Sequence, residues 1–359
     1  MKYPLGQHLR ELPGPLLLTG HTGFKGTWMT FLLEHLEVPV IGYSLAAEKD
    51  SLYERAALTG AIPEAFADIR DYEALEQFID LHKPSTIIHM AAQPLVLKSY
   101  ESPRETFDVN VMGTVNVLDV AFKKDFVKAV IVVTTDKVYR NDNSGRAFVE
   151  TDPLEGKDPY SASKVGTEAV VAAWQQIAKV SGGPRVISVR AGNVIGGGDF
   201  AKDRIIPDLV RGAISGKPVE IRNPKSTRPW QHVLDPCVGY LMALEALLQG
   251  VELGALNFGP DTESLEVRVV VGTSLEFFPK IRTNISQSEV MSSSLESDVL
   301  GLNPSFAQNC LEWKPRWSQN EAIRLTFNWW KKFIFQNFEV KGACSSDLNE
   351  YFSSKSKFG

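Results

Sequence analysis

The chain has 359 residues, 43% hydrophobic and 23% charged, a length and composition that support one large domain or two joined ones with a core needing no staples. Its 38 Lys and Arg against 43 Asp and Glu give a net charge of −5. That argues against a broad nucleic-acid-binding face, which shows as a basic excess, while leaving room for an anionic ligand held by a few local donors.

In chain order, Leu16–Thr19 is a short apolar strand running into glycines. Trp28–Leu36 reads as a helix, Val38–Ser44 as a second strand, and a third strand is expected to end near Asp68. Asp71–His82 has helical periodicity, with Leu75 and Ile79 four apart; Thr86–Met90 is a strand and Pro103–Phe122 one long helix. Val127–Thr135 and Val186–Arg190 are strongly apolar strands. Strands apolar on both faces, alternating with helices, predict an α/β fold with a Rossmann-type doubly wound parallel sheet over 1–190. Segment 191–235 is less regular and rich in Gly, Pro, Arg and Asn. A helix at Asp235–Leu248 and a strand at Ala255–Gly259 follow, and 235–260 is expected to return to the sheet. Segments 191–234 and 261–340, with a helix near Glu321–Phe333, are read as a smaller C-terminal α/β domain. The serine-rich end, 341–359, reads as a loose tail.

Cys237, Cys310 and Cys344 are odd in number and far apart, so neither a disulfide framework nor a metal site is expected. No stretch has the length of an apolar membrane span, and residues 1–14 lack the pattern of a secretory signal. A soluble cytoplasmic protein without nucleic-acid or membrane partners is the expectation.

Thr19-Gly20-His21-Thr22-Gly23-Phe24-Lys25-Gly26 follows the first strand and opens a helix. A pyrophosphate approaches backbone only where no Cβ intrudes, and a helix N-terminus offers N–H donors to it. The GxxGxxG turn at the head of a βαβ unit therefore points to a dinucleotide. The ribose reader, an acid at the end of the second strand, is replaced by Ser44. His21 and Lys25 could donate to a 2′-phosphate, or Lys25 could be a solvated helix residue, which leaves NAD and NADP both open. Asp68 could meet an adenine amino group or cap the 71–82 helix.

Tyr160 and Lys164 stand four apart at a helix start, on one face. An ammonium beside a phenol favours phenolate, which can take a proton from a sugar hydroxyl as hydride leaves the same carbon. Thr134-Thr135-Asp136-Lys137 ends an apolar strand, where open α/β sheets bind ligands, and supplies a hydroxyl, a carboxyl and an amine. Asn193, Arg204 and Arg228 are candidate diphosphate ligands. Trp230, in Arg228-Pro229-Trp230-Gln231-His232, is either part of that site or core, and Asn110 reads as a structural tie between strands behind the site.

These segments, together with Ala91-Ala92-Gln93-Pro94-Leu95-Val96, Asn110-Val111-Met112-Gly113-Thr114 and Arg190-Ala191-Gly192-Asn193-Val194-Ile195-Gly196-Gly197-Gly198-Asp199, resemble the extended short-chain dehydrogenase/reductases in order over roughly residues 16 to 260. The branch most similar is that of the CDP-glucose 4,6-dehydratases. Beyond 261 the likeness weakens to Trp313-Lys314-Pro315-Arg316-Trp317, and 262–300 departs most. The resemblance implies redox-neutral conversion of a nucleotide sugar to its 4-keto-6-deoxy form, with 191–234 and 261–340 binding that sugar. It implies a nicotinamide cofactor held by Gly20, His21, Gly23, Phe24, Lys25, Gly26, Ser44, Asp68, Ile69, Ala91, Ala92, Gln93, Thr134, Tyr160 and Lys164. By position, Tyr160 is the C4 base, Asp136 the acid, Lys137 the C5 base, and Thr135 a donor to the C4 oxygen. Gln93, Asn193, Arg204, Arg228 and Gln231 would contact substrate. Some related dehydratases place Glu at the C5-base position, so Lys137 points to the CDP-sugar branch. The 104–122 helix and the helix starting at Tyr160 resemble the pair that builds a four-helix homodimer interface in this family. A 4-epimerase, a dehydratase of another nucleotide sugar, and a non-catalytic dinucleotide-binding regulator are the alternatives.

Overall fold

The computed structural model describes residues 4–141, 144–221, 223–285, 300–336 and 338–353. The apolar runs become seven parallel strands: Leu16–Thr19 (β1), Val40–Ser44 (β2), Glu64–Phe66 (β3), Thr86–His89 (β4), Ala129–Val133 (β5), Arg185–Ala191 (β6) and Leu256–Phe258 (β7). Their order across the sheet is β7-β6-β5-β4-β1-β2-β3. The strand order reverses between β1 and β4, and a crevice forms there beyond the carboxyl ends. Successive side chains of β1 serve opposite faces: Leu16 and Leu18 belong to one buried cluster and Leu17 to another. Phe24–His35 (α1) and Leu234–Leu248 (α5) cover the first face; Tyr72–His82 (α2), Gly113–Phe122 (α3) and Pro159–Ser181 (α4) cover the second.

Beyond the strand ends the chain forms short pieces. Val194–Ile195 pairs with Gln231–His232, Thr227–Arg228 with Leu265–Glu266, and Val219–Ile221 with Thr283–Ile285. Helices Ile205–Ser215, Val267–Phe277 and Gln319–Phe335 (α6) pack with them.

Two expectations change. The single helix over 103–122 is interrupted: Pro103–Phe107 passes into a π-helical turn at Asp108–Met112 before α3. The 341–359 tail is not loose where it is described. Val340–Phe352 is a helix (α7) that buries Val340, Ala343, Cys344, Asp347, Leu348 and Tyr351. That spacing is one buried stripe, apolar except for Asp347, hidden in the composition by the intervening serines and charges. The end of that segment, 354–359, lies outside the described residues. Among the described residues no helix is long and apolar enough to cross a membrane, and no cluster of His, Cys, Asp or Glu is arranged to hold a metal ion.

Candidate active site

The glycine turn is built for close approach, and its three glycines differ in what they serve. Gly20 has φ +73°, and a Cβ there would stand 2.7 Å from the Ala91 nitrogen. At Gly26 a Cβ would stand 2.1 Å from the Gly20 carbonyl oxygen, so α1 could not seat against the turn. Gly23, by contrast, has φ −73° and would give a Cβ only an ordinary 3.4 Å contact. Nothing inside the described chain requires glycine at this helix N-cap, whereas a pyrophosphate lying on the free N–H groups does. The residues present therefore fit a dinucleotide. Ser44 ends β2 and shares a 2.8 Å hydrogen bond with Thr22; Ala91 follows β4 opposite Gly20.

Several side chains do not point where the sequence reading sent them. His21 is fully buried against Glu64, 2.8 Å away, between Tyr53 and Phe66, and burial lowers its pKa. The Lys25 ammonium turns inward to the Tyr240 hydroxyl at 3.3 Å. Neither is left to receive a 2′-phosphate, and Lys25 is not a solvated helix residue. Asp68 is taken by Arg70, which donates to its carboxylate, while Asp71 caps the 72–82 helix. Ile69 beside it is buried. The Gln93 side chain is committed internally, donating to Leu95 O and Thr106 and accepting from the Leu95 nitrogen. Asn110, within the π turn, does not tie strands. It accepts from the Gln93 nitrogen and donates to Gln93 O and Ser163, so it fastens the Ala91–Leu95 loop to α4.

Tyr160 and Lys164 are placed by the start of α4. Asp158 accepts from the Ser161 nitrogen at 2.9 Å, Ser161 accepts in return at 3.0 Å, and Pro159 occupies the first turn. Ser99 accepts from the Tyr160 nitrogen at 3.1 Å. Both side chains are buried. Burial pushes the Tyr160 phenol up to about 12, against a hydrogen bond with Thr135 and the charge of Arg204, which pull it down. The Lys164 ammonium donates to Val133 O at 3.1 Å and is pushed down to about 8 by burial and by Lys25.

Thr134 leaves β5 and donates to Glu168 at 2.5 Å. Thr135 caps a single 3-10 turn, Asp136–Val138, through the Lys137 nitrogen and donates to Asp136 Oδ1 at 3.0 Å. The other Asp136 oxygen, Oδ2, has no partner and lies against Gly192, where a Cβ would come within 3.3 Å of it. Burial raises the Asp136 carboxyl, the pull of Lys137 opposing it, so a proton is held there to higher pH than usual. Lys137 is partly exposed beside it. Burial likewise lowers Lys25 to about 8, within the field of Arg204 and Asp136. Thr135, Asp136, Tyr160, Lys164, Lys25, Arg204 and Arg228 thus share one electrostatic neighbourhood. Asp68 and Ile69 lie past the end of β3, two strands from β1 and four from β5.

On the far wall, Arg204 is held by Asp199 at 2.7 Å. Arg228 is buried and donates to Thr227 O; Gln231 donates to Phe258 O and keeps Oε1 unpartnered. Asn193 is half-buried and its carbonyl receives the Gln231 nitrogen. Trp230 is core: it is buried, with Nε1 donating to Leu265 O. Tyr240 and Glu168 escaped the sequence reading. Glu168 stands four residues beyond Lys164 on the same helical face, a spacing that could have flagged it; Tyr240 carries no local signal.

A parallel sheet of this order, a glycine turn at its switch point and a Tyr–Lys pair beside the neighbouring strand end define a dinucleotide-binding α/β protein. A family model, the NAD dependent epimerase/dehydratase family, matches residues 16–259. The chain is 38% identical over 352 residues to a CDP-glucose 4,6-dehydratase of Salmonella typhimurium, covering 95% of this chain and 97% of that one. Solved structures share the fold. A dTDP-glucose 4,6-dehydratase of Streptomyces venezuelae with NAD bound gives a TM-score of 0.74 at 24% identity, covering 91% of this chain and 99% of that one. A UDP-glucose 4-epimerase of Thermotoga maritima gives 0.77 at 21%, covering 89% and 99%. The chain belongs to the NAD dependent epimerase/dehydratase family.

Proposed function

We propose that the protein is an NAD-dependent nucleotide-sugar 4,6-dehydratase acting on CDP-glucose. The observation that carries the reading is the turn after β5, which sets a buried Asp136, one carboxylate oxygen unpartnered, beside Lys137 and next to Tyr160 and Lys164. A 4-epimerase has no use for an acid and a base at C6 and C5. The kinship with the Salmonella CDP-glucose enzyme supports the base assignment, as does Lys137 itself.

When bound, NAD would supply the hydride acceptor for C4 and the hydride donor for C6. Gly20, Gly23, Gly26 and the α1 N-terminus would hold its pyrophosphate, with Ser44 and Ala91 alongside. NAD is favoured over NADP because His21 and Lys25 are both turned away from the ribose end. Tyr160 takes the proton of the C4 hydroxyl, and Thr135 donates to the oxygen that becomes the ketone. The ketone acidifies C5; Lys137 removes that proton, the C5–C6 double bond forms as the C6–O bond breaks, and Asp136 protonates the departing hydroxyl to water. Arg204, Arg228, Asn193 and Gln231 line the side from which the diphosphate and sugar are gripped. Lys25 restrains this charge balance from the inner wall.

The enzyme acts as a cytoplasmic homodimer, with a nucleotide sugar and its own copy as its partners. Phe107 and Met112, with Ile177 and Val180 of α4, are exposed apolar side chains on the two helical segments that would pair with their copies. Purified protein incubated with CDP-, UDP- and dTDP-glucose should give a 4-keto-6-deoxy product, seen as a new C6 methyl signal by NMR, from CDP-glucose first. Turnover of another nucleotide alone would refute the base assignment; inertness toward all three would refute the dehydratase.

A further inference from the structure

The Asp136–Val138 turn is anchored at both flanks to one buried ion pair. On its N-terminal side Thr134 donates to Glu168 Oε1 at 2.5 Å. Glu168 also accepts from Arg190 Nε and Nη2, both at 2.8 Å, and from Ser188 Oγ at 2.7 Å. On the C-terminal side Arg190 Nη1 donates to the Tyr139 hydroxyl oxygen at 2.7 Å, and that hydroxyl donates to Asn257 of β7 at 2.7 Å. Tyr139 is stacked on Phe148, ring centroids 5.0 Å apart. Glu168 and Arg190 are about 95% buried, and the carboxylate has four donors. A buried pair whose carboxylate has four donors is rigid, and it holds the turn that it flanks. Glu168 is also one helical turn beyond Lys164. The pair therefore joins the turn carrying Asp136 and Lys137 to the helix carrying Tyr160 and Lys164.

We infer that Glu168, Arg190 and Tyr139 are positioning residues that hold Asp136 and Lys137 in register with Tyr160, so that elimination depends on them more than C4 oxidation does. All three are buried. The inference rests on the dehydratase reading for its kinetic part, but the brace itself is a property of the free protein.

Tyr139→Phe removes one hydroxyl and keeps the stack on Phe148; Glu168→Gln removes the charge at constant shape. Hydrogen exchange of the purified proteins, without substrate, should rise in the backbone amides of 134–139 in both variants while the rest of the sheet stays protected. With CDP-glucose, exchange of the C5 proton and product formation should fall about 10- to 100-fold, the cost of a misplacement near 1 Å. KM and C4 oxidation, read as reduced nicotinamide, should stay within about threefold. Wild-type exchange at 134–139 would overturn the proposal. So would loosened exchange with wild-type turnover, or an equal loss of oxidation and elimination. If Glu168→Gln fails to fold, Tyr139→Phe decides alone. If the wild type is inert toward CDP-glucose, the substrate reading fails, while the exchange measurement still judges the brace.

Discussion

Alanine at Gly23 and alanine at Gly26 should have opposite signatures. The two positions stand three residues apart in one turn, but a Cβ at Gly26 would overlap the Gly20 oxygen at 2.1 Å and His21 Cα at 2.7 Å, all backbone. Gly26→Ala must move α1 off the turn and should cost about 3 kcal/mol of stability, the upper end for overpacking. A Cβ at Gly23 meets only the Gly20 oxygen at 3.4 Å, with φ already at −73°. Reduced unfolded-state entropy and loss of a favourable N-cap residue oppose each other there, so the change should stay within about 1 kcal/mol. The missing Cβ matters only to what lies on the helix N-terminus. At NAD concentrations of about 100 Kd the wild type gains about 2.7 kcal/mol from binding, and Gly23→Ala should gain almost none of it. Thermal unfolding with and without NAD reads both effects. A Gly23→Ala protein much less stable than wild type without ligand, or one stabilised by NAD as the wild type is, would refute the reasoning.

Lys137→Met should leave C4 oxidation running but stop elimination, so that reduced nicotinamide builds up and the C5 proton no longer exchanges with solvent; unchanged turnover would remove Lys137 from the mechanism. Away from the site, Asp235 is fully buried and burial pushes its carboxyl up to about 7 from 3.8, against hydrogen bonds from the Arg316 nitrogen and the Tyr351 hydroxyl. The native state then binds more protons than the unfolded one between those values, so this group's contribution to stability is full below pH 3.8 and declines as pH rises through 7. Asp235→Asn, which keeps the accepting oxygen, should raise Tm above pH 7 and leave it unchanged in acid, as thermal scans across pH would show. A larger gain in acid than in base would contradict this.

Much of the sheet was legible because its signal is local. Val130, Ile131, Val132 and Val133 are apolar on both faces, and only a strand covered on both sides uses such a run. The Tyr160 helix start was legible in Asp158-Pro159, a cap and a first-turn proline. What escaped depends on contacts between distant segments. The direction of Lys25 is set by Tyr240, 215 residues later, and that of His21 by Glu64. Within the π turn the Asn110 amide bridges Gln93 and Ser163, neither of them a helical neighbour. The surroundings of the Lys164 ammonium are of the same kind: four-residue spacing places it near Tyr160, but the carbonyl it donates to, that of Val133, comes from a separate strand. The C-terminal helix was legible in principle, since its buried positions from Val340 to Tyr351 repeat at helical spacing, yet its composition read as a tail.

In the proposed reaction one hydride is lifted from C4 and set down on C6 within a single active site. CDP-glucose carrying deuterium at C4 tests this most directly. The label should appear in the C6 methyl group of the 4-keto-6-deoxy product; its release to water, or its retention at C4 in an epimerised sugar, would contradict the account.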